Sequence, residues 1–154
     1  MNVNIGKKLP KFEVVDDEGN CVNNETILGN KVIFTVYAKD DTPSCNKQVC
    51  SLNEYYAKLK SKGYLVYGLS PDTVKKHGKF KEKYNIGYPL LADKDKTMLL
   101  DFGLFGPKMF MGKQVNGVYR SAIVVDEMGI VTHLIDKVIT KSHGEQIMEV
   151  LGLV

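Results

Sequence analysis

Arginine is almost missing from this chain. Of its 21 basic side chains, 20 are lysines and one, Arg120, is not. A lysine-rich composition needs no explanation, but the exception does. Arginine offers a planar, permanently charged fork that lysine cannot copy. Long apolar runs are missing too. None approaches the roughly 18 residues that a membrane span needs, and the first residues lack the apolar core of a secretion signal. A cytoplasmic protein that spans no membrane is the expectation. No basic patch stands out, since 21 basic and 18 acidic residues are interspersed for a net charge of +3. Nucleic acid is therefore not an expected partner. The densest run, Lys75 to Lys83, falls on a helical pattern and suits a solvated face. Repeats, low-complexity tracts and linkers are also absent, so residues 1–154 are expected to form a single domain. With three cysteines in 154 residues, a structural disulfide framework is not expected in the reducing cytosol; chemistry, metal or burial remain.

What is present is organised around Val36–Cys50. An apolar, β-branched segment, Lys31–Ala38, reads as a central strand buried on both faces. It leads into Thr42-Pro43, where Thr42 suits the N-cap and Pro43 the first helical position. Cys45 then falls in the first helical turn, where backbone N–H groups have no intrahelical partner and the helix dipole favours negative charge. A thiol placed there loses its proton more readily than a free cysteine, and the thiolate is the nucleophile. Cys50 follows five residues later. In an unbroken helix the two Cα atoms lie about 8.6 Å apart, beyond the roughly 7 Å that a disulfide tolerates. The spacing implies two thiols that meet only after the helix unwinds locally.

The rest of the chain reads as an α/β pattern, β-β-β-α-β-α-β-(α)-β-β-α with a mixed sheet. Phe12–Val15 and Cys21-Val22 form a hairpin around Asp16–Asn20, with Cys21 expected to behave as a small buried hydrophobe. The helix from Pro43 carries Cys45, Val49, Leu52, Tyr56 and Leu59 along one stripe and runs to Gly63. Tyr64–Leu69 is a second buried strand. A helix opening at Ser70-Pro71-Asp72 presents Val74, His77, Phe80 and Tyr84. Pro89–Ala92 is a short strand before a helical turn at Met98–Leu100. Residues 102–117 read as an irregular, glycine-rich apolar loop. Ser121–Val125 and Ile130–Ile135 pair antiparallel, and a last helix from Ser142 carries a Ser142/Glu145 capping-box spacing. Asp16-Asp17 and Asp40-Asp41 fit turns and helix starts, not acid–base chemistry.

Five segments in order, Lys39-Asp40-Asp41-Thr42-Pro43-Ser44-Cys45, Cys50, Gly68-Leu69-Ser70-Pro71-Asp72, Pro89-Leu90-Leu91-Ala92-Asp93 and Tyr119-Arg120-Ser121, resemble the bacterioferritin comigratory protein family of peroxiredoxins, also called peroxiredoxin Q. The likeness extends from about Phe12 to the C-terminus. It implies a thioredoxin-like fold with an N-terminal β-hairpin extension, and thiol-dependent reduction of hydrogen peroxide and organic hydroperoxides. It further implies that Cys45 is the peroxidatic cysteine, Cys50 the resolving cysteine of an atypical 2-Cys enzyme, and Thr42 and Arg120 supporting polar residues. Arg120 would lower the thiol pKa and orient the peroxide, and the Thr42 hydroxyl would donate to a peroxide oxygen. The implied partners are a hydroperoxide substrate and a thioredoxin-like or glutaredoxin-like reductant. No cofactor is implied, and a monomer or weak dimer is expected. One position departs from the family pattern: Ala38 stands where the family has a proline that walls the thiolate from solvent.

Two other function classes compete. A thiol–disulfide exchange protein would use the helix-start cysteine, but with Cys-x-x-Cys spacing. A non-enzymatic binding module could respond to redox state through helix unwinding. A zinc site built from Cys45, Cys50 and one of His77, His133 or His143 is disfavoured by spacing, and these histidines carry no assigned chemical role.

Overall fold

The central apolar run becomes β3 (Lys31–Val36), whose last five residues are buried. In the computed structural model, which describes residues 1–153, β3 lies inside a seven-stranded sheet. The flanking elements are β1 (Glu13–Asp16), β2 (Cys21–Asn23), α1 (Asn24–Ile27), α2 (Pro43–Asn53), α3 (Tyr56–Ser61), β4 (Tyr64–Ser70) and α4 (Val74–Tyr84). They continue as β5 (Leu90–Ala92), α5 (Thr97–Asp101), β6 (Phe105–Phe110), β7 (Lys113–Val118), β8 (Ser121–Val125), β9 (Val131–Ile135) and α6 (His143–Val150). The strand order is β2-β1-β5-β4-β3-β8-β9. Strand β3 pairs parallel with β4 and antiparallel with β8, β4 pairs parallel with β5, and the β1–β2 hairpin joins antiparallel at β5.

Alternation along β3 divides the interior in two. Val32, Phe34 and Val36 face a core with Phe12, Met98, Leu99 and Phe102. Ile33 and Tyr37 face a second core built from α2, α4 and α6 through Cys45, Val49, Leu52, Phe80 and Ile147. The helices therefore cover a strand that is apolar on both sides, as a buried parallel neighbour of β4 must be.

Several expectations need correction. Residues 105–118 are not an irregular loop but the antiparallel hairpin β6–β7, a sheet of its own. Its two-residue turn holds Met111 and Gly112 at φ 51° and 80°, the paired positive values of a type I′ turn. Methionine in that place gives no turn signal, and the glycines hide the strands. The helix after Pro43 is not continuous to Gly63. The Tyr55 N–H reaches Leu52 instead of Ser51, tightening the turn and separating α2 from α3. Helix α4 starts after Thr73, which caps the Lys76 N–H at 3.2 Å. Asp72 is drawn instead toward the Asp40 N–H (2.8 Å) and the Ser70 hydroxyl (2.6 Å). Ser142 precedes α6 without any side-chain cap, because Glu145 turns away to accept from the Tyr55 hydroxyl at 3.0 Å. Cys21 is exposed. On edge strand β2 it is Val22 that faces inward.

Candidate active site

Strand β3 ends beside β4, where the Tyr37 N–H donates to Leu69. The chain then crosses Ala38–Asp41, with Asp41 at φ 57°, before Thr42 opens α2 in extended conformation. Pro43, Ser44 and Cys45 are the first three helical residues. The first intrahelical bond runs from the Asn46 N–H to Thr42 at 2.8 Å. The N–H groups of Ser44 and Cys45 are thus free of intrahelical partners, which makes this turn a cradle for negative charge. The Cys45 side chain points inward and is 1% exposed.

Strand β8 brings the second part. Ser121 pairs with Val36, so Arg120 arrives level with the end of β3. Its Nη1 donates to Cys45 Sγ at 3.4 Å and to Gln48 Oε1 at 2.7 Å. Burial pushes the Cys45 thiol up. The Thr42 hydroxyl, the Lys39 backbone and the positive charge of Arg120 outweigh it, and the net shift is downward. The thiolate is easier to form here than in an ordinary cysteine. Cys50 responds in the opposite direction, raised by burial and by the charge of Glu54.

Thr42 occupies the N-cap position but does not cap with its side chain. Its hydroxyl donates to the Lys39 carbonyl at 3.0 Å, and rotation of that single proton toward the sulfur is its alternative use. The capping expectation is therefore replaced by a hydroxyl bonded back to the loop that precedes the helix. Cys50 sits in the same helix, half-buried and unbridged. The structure thus brings together Cys45, Thr42 and Arg120, and leaves Cys50 one and a half turns away.

Gln48 is the site residue that sequence reasoning missed. It is fully buried, one turn after Cys45, and holds Arg120 through its carbonyl oxygen. A glutamine on the inward stripe between Cys45 and Val49 was the available signal, because polar side chains are rarely buried without a specific partner.

A second polar cluster supports the loop before Thr42. Asp40, Asp72 and His77 bring ligand-type atoms within 4.8 Å of one another. Those atoms already have hydrogen-bond partners, Asp72 in the Asp40 N–H and the Ser70 hydroxyl. His77 Nδ1 lies 2.6 Å from Asp40, whose other oxygen accepts from the Tyr37 hydroxyl at 2.6 Å. The cluster reads as an internal hydrogen-bond network, not as a vacant coordination shell.

A buried cysteine with a lowered pKa beside a guanidinium suits chemistry as a thiolate. The AhpC/TSA family model matches residues 5–134. The chain belongs to the AhpC/TSA family. It is 37% identical to a putative peroxiredoxin bcp of Coxiella burnetii over 152 residues, covering 99% of both chains. It is 34% identical to peroxiredoxin Bcp of Escherichia coli K12 over 143 residues, covering 93% of this chain and 92% of that one. Among solved structures, the Xanthomonas campestris bacterioferritin comigratory protein superposes with a TM-score of 0.84 at 26% identity, covering 92% and 90% of the two chains. The fold is that of the thioredoxin-like peroxiredoxins, with β1–β2 as the N-terminal hairpin, and the chain is a peroxiredoxin, a thiol-dependent peroxidase. Among the described residues no helix is long and apolar enough to cross a membrane.

Proposed function

We propose that the peroxidase reaction of this chain runs through Cys45, with Cys50 as its resolving partner. The contact of Arg120 with the buried Cys45 sulfur at 3.4 Å supports this most directly. The Cys45 thiolate attacks one oxygen of a hydroperoxide and the O–O bond breaks. The other oxygen leaves with the bonding pair and takes a proton to become water or an alcohol, while Cys45 becomes a sulfenic acid. Arg120 and the free N–H groups of Ser44 and Cys45 face the charge that develops, and act as donors already in place. The Thr42 hydroxyl supplies a further donor to a peroxide oxygen.

The Cys50 thiol then displaces water from the sulfenic acid and forms a disulfide. Both cysteines lie in α2, with Cα atoms about 8.6 Å apart by helix geometry, so α2 must unwind between them. The short loop so closed is open to reduction by a dithiol protein of thioredoxin or glutaredoxin type. Hydrogen peroxide and alkyl hydroperoxides are the substrate class. Alkyl peroxide reduction is described for the Xanthomonas relative.

Mass spectrometry tests the assignment. One equivalent of hydrogen peroxide removes two hydrogens and links the peptides that hold Cys45 and Cys50. A Cys50→Ser variant halts at a sulfenic acid that a dimedone-type reagent traps. If Cys45 reacts with peroxide no faster than a free thiol, the assignment is wrong.

A further inference from the structure

Behind Arg120 a line of buried side chains runs across the molecule to the last helix. Gln48 accepts from Arg120 through Oε1, and its Nε2 donates to the Thr35 hydroxyl at 2.9 Å and to the Val36 carbonyl at 3.0 Å. Thr35 Oγ1 lies 2.9 Å from His143 Nε2. His143 Nδ1 lies 3.3 Å from Gln146 Oε1, and Gln146 Nε2 donates to the Lys137 carbonyl at 2.7 Å. Thr35, Gln48 and His143 are all fully buried.

One assignment of protons satisfies every member. Gln48 must present its NH2 group to the Val36 carbonyl, so that group also donates to Thr35. The hydroxyl oxygen accepts there and its single proton goes to His143 Nε2. That nitrogen is then the bare one, and the ring proton sits on Nδ1, facing the Gln146 carbonyl. Each group donates in the same direction, from the guanidinium to the backbone of Lys137. Burial and the nearby Arg120 charge keep His143 neutral, with its pKa lowered to about 4. A protonated ring would turn an N–H on the Thr35 oxygen and leave the hydroxyl proton without an acceptor.

We propose that His143, through Thr35 and Gln48, is a positioning residue for Arg120, holding the guanidinium against the Cys45 sulfur. The inference rests on Cys45 being the reactive thiol and goes beyond it. The first turn of α6 holds no residue of the proposed reaction, yet it sets how firmly Arg120 is aimed. Chains of hydrogen bonds polarise one another, so the Gln48 oxygen is a better acceptor for Arg120 when Thr35 and His143 complete the line. Contacts of α6 with α2 and with the turn that follows it back the line. The Gly144 N–H donates to the Ser51 hydroxyl at 2.9 Å, and Glu145 accepts from Tyr55.

The experiment uses a Cys21→Ser, Cys50→Ser parent, in which Cys45 is the only thiol. Thiolate formation is followed by ultraviolet absorbance against pH, and the rate with hydrogen peroxide by stopped flow. Thr35→Val keeps the shape and removes the hydroxyl; His143→Leu removes the acceptor. Both are expected to move the thiolate midpoint upward and to slow the peroxide reaction about five-fold, the worth of one ordinary hydrogen bond. Thr35→Ser and His143→Gln return a hydroxyl and an acceptor to the same places. They are expected to stay within about two-fold of the parent, less than the worth of that bond. A loss of packing alone would not be rescued in this way. If His143→Leu does not fold, Thr35→Val carries the test. Folded Thr35→Val protein with the parent's midpoint and rate overturns the proposal, as do rescue variants that shift as far as the others. A parent whose Cys45 is no faster than a free thiol removes the assignment of Cys45, and the positioning role with it. A reactive parent with unmoved variants removes the positioning role alone.

Discussion

Two histidines are completely buried on the helix-covered side of the sheet, and they are held in opposite ways. His77, on α4, has Asp40 at 2.6 Å from Nδ1 and the Leu91 carbonyl at 2.9 Å from Nε2. Both partners are acceptor groups, a carboxylate and a carbonyl. His143, on α6, faces one donor and one acceptor and is satisfied only when neutral. The first anchors the loop that precedes Thr42; the second anchors the residue that holds Arg120. The same side chain thus serves the two flanks of one site, between two acceptors on one and between a donor and an acceptor on the other. The partners around the ring make the difference, since burial is equal.

The comparison can be broken most forcefully on the His77 side. His77→Leu leaves the Asp40 carboxylate and the Leu91 carbonyl buried without their partner, and each buried acceptor so orphaned costs about 1–3 kcal/mol. Urea denaturation should show that loss, and a cost under about 1 kcal/mol would show that the two acceptors do not depend on His77. On the His143 side the effect is a matter of pH. The folded ring titrates at about 4 against the ordinary 6.5, so between those values the unfolded chain binds a proton that the folded chain refuses. This contribution is fully present above pH 6.5 and is lost as pH falls toward 4, about 3 kcal/mol in total. Chemical denaturation of the wild type and of His143→Gln across this range isolates it. The difference in stability between the two should change with pH inside the window and be flat above it. Parallel curves throughout would mean that the ring is not held neutral.

These anchors also mark how far the sequence could be read. The strand–Pro–cysteine order placed β3, the start of α2 and Cys45 correctly, because each rests on a local rule: β-branched residues, a proline tolerated only at a helix start, and unpaired N–H groups in the first turn. Arg120 was legible because it is the single arginine. Thr35, His77 and His143 were not, and Gln48 only through its place on the inward stripe, since most of their partners lie 12 to 108 residues away. The β6–β7 hairpin escaped for a different reason. Its turn is made by Met111 at positive φ, where side-chain identity argues against the conformation, and its strands are mostly exposed and show no alternation. Cys21 shows the limit of residue type alone: cysteine is commonly buried, but an edge strand sets the face.

The smallest expected effect lies at Ala38, the residue that joins the two flanks. It packs against both cores and follows the end of β3, just before the loop tied down by Asp40. Proline at this place would fix φ near −65° and remove an N–H. Among the described residues that N–H donates to no backbone or side-chain acceptor, so no hydrogen bond is lost. Ala38→Pro should therefore leave stability within about 1 kcal/mol of wild type, through a stiffer unfolded chain. The added ring should narrow solvent access to the Cys45 sulfur, and the peroxide rate, or the resistance of the sulfenic acid to further oxidation, should rise. Stopped-flow rates and the yield of sulfinic acid under excess peroxide measure both. A variant that is unfolded would show that the loop's path differs from a proline's; one unchanged in rate and over-oxidation would show that the Asp40 and Gln48 anchors define the pocket without help from position 38.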